Sequence, residues 1–154
     1  MIMPKGDYDN ALRAYLTTEL GDSRLTTLGL RSDNHTRIYV GLLPDVEDVK
    51  AMALLFDHGS SSVETFTRPN NIWRPGVTIE IIGGHDEYNQ LRDTIFEIHE
   101  ILSNISNQEL AAPEGNTWRY LRIAPTTAPA ITRRYANRRI VFSIRYITMI
   151  EGPV

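Results

Sequence analysis

The side chains here whose types could carry chemistry are four histidines, His35, His58, His85 and His99, and three consecutive serines, Ser60–Ser62. A hydrolytic zinc site would set two imidazoles four residues apart on one helix face, with a glutamate between them as base. His99 instead has Ile95 and Ser103 at those places, and no HExxH run exists. Asp57-His58 and His85-Asp86-Glu87 put carboxylates beside imidazoles, but adjacency in sequence does not supply the geometry of general acid–base work. The serines lack a nucleophile elbow. The chain has no cysteine, which excludes disulfides, thiolate metal sites and cysteine nucleophiles.

Gly83-Gly84 ahead of a helix invites a test as a phosphate cradle, since helix N-termini attract anions. The first turn, however, carries Asp86 and Glu87, which already occupy the positive end of the dipole. There is no GxGxxG and no GKS/T. The glycines read as a sharp strand-to-helix turn. No catalytic residue, cofactor or metal is therefore expected, and the protein is expected to act through its surfaces rather than as an enzyme.

Charge is the strongest surface signal. Net charge is −3, unevenly placed: residues 1–110 hold 17 acidic and 9 basic side chains, a net of −8, while residues 111–154 hold 2 and 7, a net of +5. The seven are all arginine: Arg119, Arg122, Arg133, Arg134, Arg138, Arg139 and Arg145. Arginine presents a planar fork of donors suited to carboxylates and phosphates, and it is enriched in interfaces. An acidic and a basic pole on one molecule suit head-to-tail association; two unrelated solvated faces explain the same numbers.

The elements that must carry these residues follow from periodicity. With 42% hydrophobic and 23% charged residues, 154 residues make one ordinary globular domain, 1–154. Asp7–Leu20 reads as a first helix, with Asp7 as N-cap and Gly21 as C-cap. Asp22–Thr36 reads as an irregular connection. Arg37–Leu43 reads as a strand closed by Pro44, and Val49–Phe56, ambiguous between helix and strand, as a second strand. Gly59–Gly76 is a long polar loop holding Trp73 and Arg74. Trp73 fits a packed anchor, and with Arg74 it also fits an interface hot spot. Val77–Ile82 is a buried strand.

Asp86–Asn104 is the clearest element. Tyr88, Leu91, Ile95, Ile98, Leu102 and Ile105 recur at intervals of 3, 4, 3, 4 and 3, widened by Phe96 and Ile101, and predict an amphipathic helix lying flat on a sheet. Ser106–Asn116 reads as a loop and Thr117–Ala124 as a strand. Pro125–Asn137 reads as an open connection that projects or folds over a neighbour. Arg138–Ile150 is the longest strand, with Ile140, Phe142, Ile144, Tyr146 and Ile150 on one face. The expectation is an α+β domain: a mixed or antiparallel sheet of about five strands, an N-terminal helix and one long helix packed on it, in the order α-β-β-β-α-β-β. Met1–Asp9 lacks a signal-peptide core and no apolar run is long enough for a membrane span, so synthesis in the cytoplasm is expected.

That order, with Ile38-Tyr39-Val40-Gly41-Leu42-Leu43-Pro44 as first strand, Val77–Gly84 followed by the Tyr88–Ile105 helix, and Trp118–Pro129 with Arg138–Ile147 as closing strands, resembles the tail terminator (tail-completion, or minor capsid) proteins of long-tailed bacteriophages. Arg139-Ile140-Val141-Phe142-Ser143-Ile144 is typical of that family's last strand. Gly83 departs from it, standing where an arginine is common. The resemblance implies a virion protein without cofactor, forming a ring, usually a hexamer. The ring caps the head-proximal end of the tail tube, ends tube polymerisation and joins the head connector, while DNA passes through its lumen without specific binding. Trp73, Arg74, Arg133, Arg134, Arg138 and Arg139 are then the candidate contacts with a neighbouring subunit or the tube. The rival readings are another neck or head-closure component, and a nucleic-acid-binding module that uses the C-terminal arginines with Tyr135 between them.

Overall fold

A computed structural model of the chain describes residues 7–41, 50–57, 63–65, 71–134 and 139–154. The expected α+β class holds, and the sheet is larger than expected. Among the described residues, two helices accompany one sheet of nine strands and a two-stranded ribbon.

Helix α1 spans Tyr8–Thr27 and is broken at Gly21, whose φ of 76° and ψ of 161° interrupt two helical runs. Gly21 thus ends the first run as expected, but Asp22–Thr27 is helical rather than irregular. Tyr8, Ala11, Leu12, Leu16, Leu20 and Leu25 are its buried side. Asp7 stands at the N-cap position without a side-chain capping bond. The ribbon β1 (Arg31–Ser32) and β2 (His35–Thr36) follows, turning through Asp33 and Asn34 at positive φ. Aspartate and asparagine tolerate that region better than other side chains.

Strand β3 (Ile38–Val40) runs parallel to β4 (Ala51–Asp57); every other pairing is antiparallel. Ala51–Phe56, ambiguous in sequence, is a strand because it is sheltered on both faces. Met52 and Leu54 join the main core, and Ala51 packs with Ile82, Val141 and Tyr39 on the opposite side. A doubly buried strand loses the alternation that would reveal it. The expected long loop holds two short strands, β5 (Val63–Thr65) and β6 (Asn71–Trp73), followed by β7 (Gly76–Gly84).

Gly83 and Gly84 close β7 rather than forming a separate turn. A 3-10 turn at His85–Glu87 leads into α2 (Tyr88–Ser103), with the Glu87 carboxylate accepting from the Gly84 N–H at 2.9 Å. Gly83 is needed for close approach: a Cβ there would lie 2.8 Å from Leu91 Cδ2. Leu91, Ile95, Ile98 and Leu102 are buried as the periodicity predicts, each stabilising by about 1.5–3 kcal/mol. Phe96, expected to widen the apolar stripe, is 54% exposed.

Strands β8 (Gln108–Ala111) and β10 (Ala130–Arg134) lie in segments expected to be loops, on either side of β9 (Thr117–Pro125). Strand β11 (Arg139–Gly152) is the spine. One side of it carries β7 from Arg139 to Ile147 and then β6 from Ile150 to Gly152; the other carries β10 from Arg139 to Ser143 and β9 from Tyr146 to Glu151. Both helices pack on the face holding Ile140, Phe142, Ile144, Tyr146 and Ile150. Helix α1 touches β3, at one end of the strand order, and β8, at the other.

Candidate functional site

Strand β11 positions the candidate contact residues and separates them into two groups. Trp73 and Arg74 stand at its C-terminal end, where Trp73 pairs with Ile150 on β11 and with Val63 on β5. Trp73 is half-buried against the core, and its indole Nε1 donates to the Gly152 carbonyl at 3.3 Å. The anchor role is therefore occupied; Arg74 beside it is exposed.

Arg133 and Arg134 stand at the other end, on β10, in register with Ile140 and Arg139. Arg138, with Tyr135, lies outside the described residues. Arg139 does not fit an exposed contact: it is only 8% exposed, flanked in register by Arg134 and Gly84. Along the strand from Arg139 to Ile150 the two groups are roughly 35 Å apart, at about 3.3 Å per residue. They also lie on opposite sides of β11, so they form two surfaces and not one.

Two of the other C-terminal arginines are drawn into local contacts. Arg119 pairs with Glu109 at 2.6 Å and approaches Glu151 at 3.9 Å, and Arg145 approaches Asp57 at 3.8 Å. Arg122 is exposed. A phosphate-tracking groove needs such side chains aligned on one open face; among the described residues they are spread over β9, β10 and β11.

Sequence reasoning missed a groove of about 370 Å³ between α2 and the β9–β10 turn, lined by Phe96, His99, Ile144 and the run Pro125–Pro129. His99 Nδ1 lies 2.9 Å from the Tyr146 hydroxyl, with the rings stacked. Burial raises the Tyr146 phenol well above the ordinary tyrosine value, so it stays protonated in this pair. The partner of His99 is thus 47 residues away, where helix spacing gives no sign of it. Ile131 on β10, 45% exposed, is in register with Phe142 and so lies on the sheet face that carries α2 and Phe96.

Lys50 was also unforeseen. It is 5% exposed, and its ammonium donates to Thr94 Oγ1 at 3.0 Å, while Thr94 donates to the Gln90 carbonyl. Burial pulls its pKa down to about 8 against the pull of Glu87 and Asp93. Among the described residues no group of three histidine or acidic side chains is placed to hold a metal ion, and no helix is long and apolar enough to cross a membrane. His58 and Ser60–Ser62 lie outside the described residues.

Compared with known proteins, the sequence matches no family model and no curated protein. The fold is similar to that of a chain in the structure described as "Virion of native gene transfer agent (GTA) particle". The likeness covers 92% of this chain and 94% of that one, with a TM-score of 0.57 and 13% sequence identity. At that identity the likeness is one of fold.

Proposed function

We propose that this chain is a structural virion protein that forms a ring of six copies at the head-proximal end of a phage tail tube. There it ends tube polymerisation and joins the tail to the head connector. In this reading it does no chemistry and needs no cofactor. Its partners are its own copies, the tube protein and the connector, and DNA crosses the lumen without specific binding.

The observation that carries the reading is the end-to-end fold likeness to a chain of a virion particle, 92% of one chain against 94% of the other. The layout of the molecule supports it. The candidate contacts fall into two different surfaces at opposite ends and sides of β11, as head-to-tail association requires, and a heterologous contact repeated by rotation closes into a ring. The acidic and basic poles give such a contact its sign.

Native mass spectrometry over a range of protein concentration and salt tests this. The expected result is a discrete hexamer, or a monomer that becomes a ring on adding tail tubes and stops their growth. A strict monomer that ignores tubes and retards DNA at low salt would overturn it and return the arginines to phosphate binding. Another neck or head-closure component would give a ring that binds the connector but leaves tube length unchanged.

A further inference from the structure

A sheet edge can take up a strand of another chain, because an edge strand presents unpaired N–H and C=O groups. The edges here are not alike. The β3 edge is occupied from within: Arg13 Nε donates to the Ile38 carbonyl at 2.5 Å, and α1 lies along that strand. Strand β8 also lies against α1. Among the described residues, β10 pairs only with β11 and β5 only with β6.

Resting on the ring reading, we infer that β10 of one copy pairs edge to edge with β5 of the next, so that the ring is closed by a strand-to-strand joint between unlike edges. Three observations carry this. First, β10 and β5 stand on opposite sides of β11 and at its opposite ends, so each copy offers one edge of each kind and neither is used twice. Second, the charges match. Strand β10 ends in Arg133-Arg134, and β5 is Val63-Glu64-Thr65. Two β10 edges facing each other would bring four arginines into one joint with no acidic residue to offset them, whereas β5 offers Glu64. Third, β10 carries Ile131, exposed and on the same side of the molecule as the groove under Phe96 and Pro125–Pro129, which gives an incoming strand an apolar seat.

The absence of cysteine makes the test clean. Ile131→Cys and Val63→Cys are made singly and together in the full chain. They are oxidised at the concentration at which unmodified protein gives a ring, and read by non-reducing electrophoresis. The expected result is no covalent dimer from either single variant, a dimer from their mixture, and a ladder ending at the full ring from the double variant. A covalent dimer from Ile131→Cys alone would overturn the inference in favour of a β10–β10 joint. A ring by native mass with no link in the mixture would overturn it and leave the ring reading standing; no self-association at all would remove both. As a check independent of the cysteines, Ile131→Asp is expected to keep the wild-type circular dichroism spectrum and abolish the ring. A ring of unchanged mass from that variant would count against the joint.

Discussion

The Asp7 carboxylate accepts hydrogen bonds from the indole Nε1 of Trp118 and, at 2.9 Å, from the Asn116 N–H, tying the start of α1 to β9 across 111 residues. The position is that of an N-cap, yet the side chain closes the tertiary structure instead of the helix. Trp118 is fully buried, so removing its acceptor strands a buried donor. Asp7→Ala should lower unfolding free energy by about 3 kcal/mol in urea titration, since bonds to a charged group contribute roughly 1.5–3 kcal/mol each. A loss under 1 kcal/mol would mean water replaces the carboxylate.

Gly83→Ala should destabilise by about 1–3 kcal/mol, the usual cost of overpacking. Its Cβ would meet the buried Leu91 at 2.8 Å, where α2 crosses β7. The double variant Gly83→Ala with Leu91→Ala should recover part of that loss relative to the sum of the two single changes. Strict additivity in thermal melts would show that the glycine serves the turn and not the approach.

Lys50 predicts the sign of a pH dependence. Its folded pKa of about 8 lies below the unfolded value near 10.4. Between those values the unfolded chain binds more protons, so stability should rise as pH rises from about 8 to 9.5. Above that, tyrosines take over in the opposite sense, because Tyr120 and Tyr146 are held protonated by burial. The groups around the ammonium are Thr94, Glu87, Asp93 and Arg24. Lys50→Met should flatten the slope and raise stability at pH 7, since it removes a buried charge while keeping an apolar stem. A slope unchanged in Lys50→Met, measured by urea midpoints at each pH, would assign the effect to other groups.

Trp73 and the arginines separate folding from assembly. Trp73→Phe should cost about 1 kcal/mol of monomer stability through the lost bond to the Gly152 carbonyl. Reversing Arg133, Arg134 and Arg138 to glutamate should leave the melting curve of the monomer close to wild type and abolish the ring by native mass. Arg139, buried at the start of β11, belongs with the folding residues, and Arg139→Glu should lower stability by several kcal/mol. Intact assembly after the triple reversal would refute a contact role for that loop.

The sequence by itself determined the elements whose patterns are local and strong. The 3-4 spacing from Tyr88 to Ile105 predicted α2, and the alternation from Ile140 to Ile150 predicted the core face of β11; both follow from the fixed periods of helix and strand. The same local view placed Gly21 at the end of a helical run and excluded cysteine chemistry. Tertiary structure alone decided the rest. Strands β5, β6, β8 and β10 are too short and polar to declare themselves, and they exist because β11, β9 and each other supply their hydrogen bonds. Ile98 is buried as its place on the stripe predicts, whereas Phe96, expected to widen that stripe, is left exposed by the way α2 packs on β7, β11 and β9. The seven arginines of residues 111–154 are alike in the sequence; folding buries Arg139, pairs Arg119 and sets Arg133 and Arg134 on an edge. Charge patterning shows that a basic pole exists, while the register of strands far apart in sequence decides which of its members face outward.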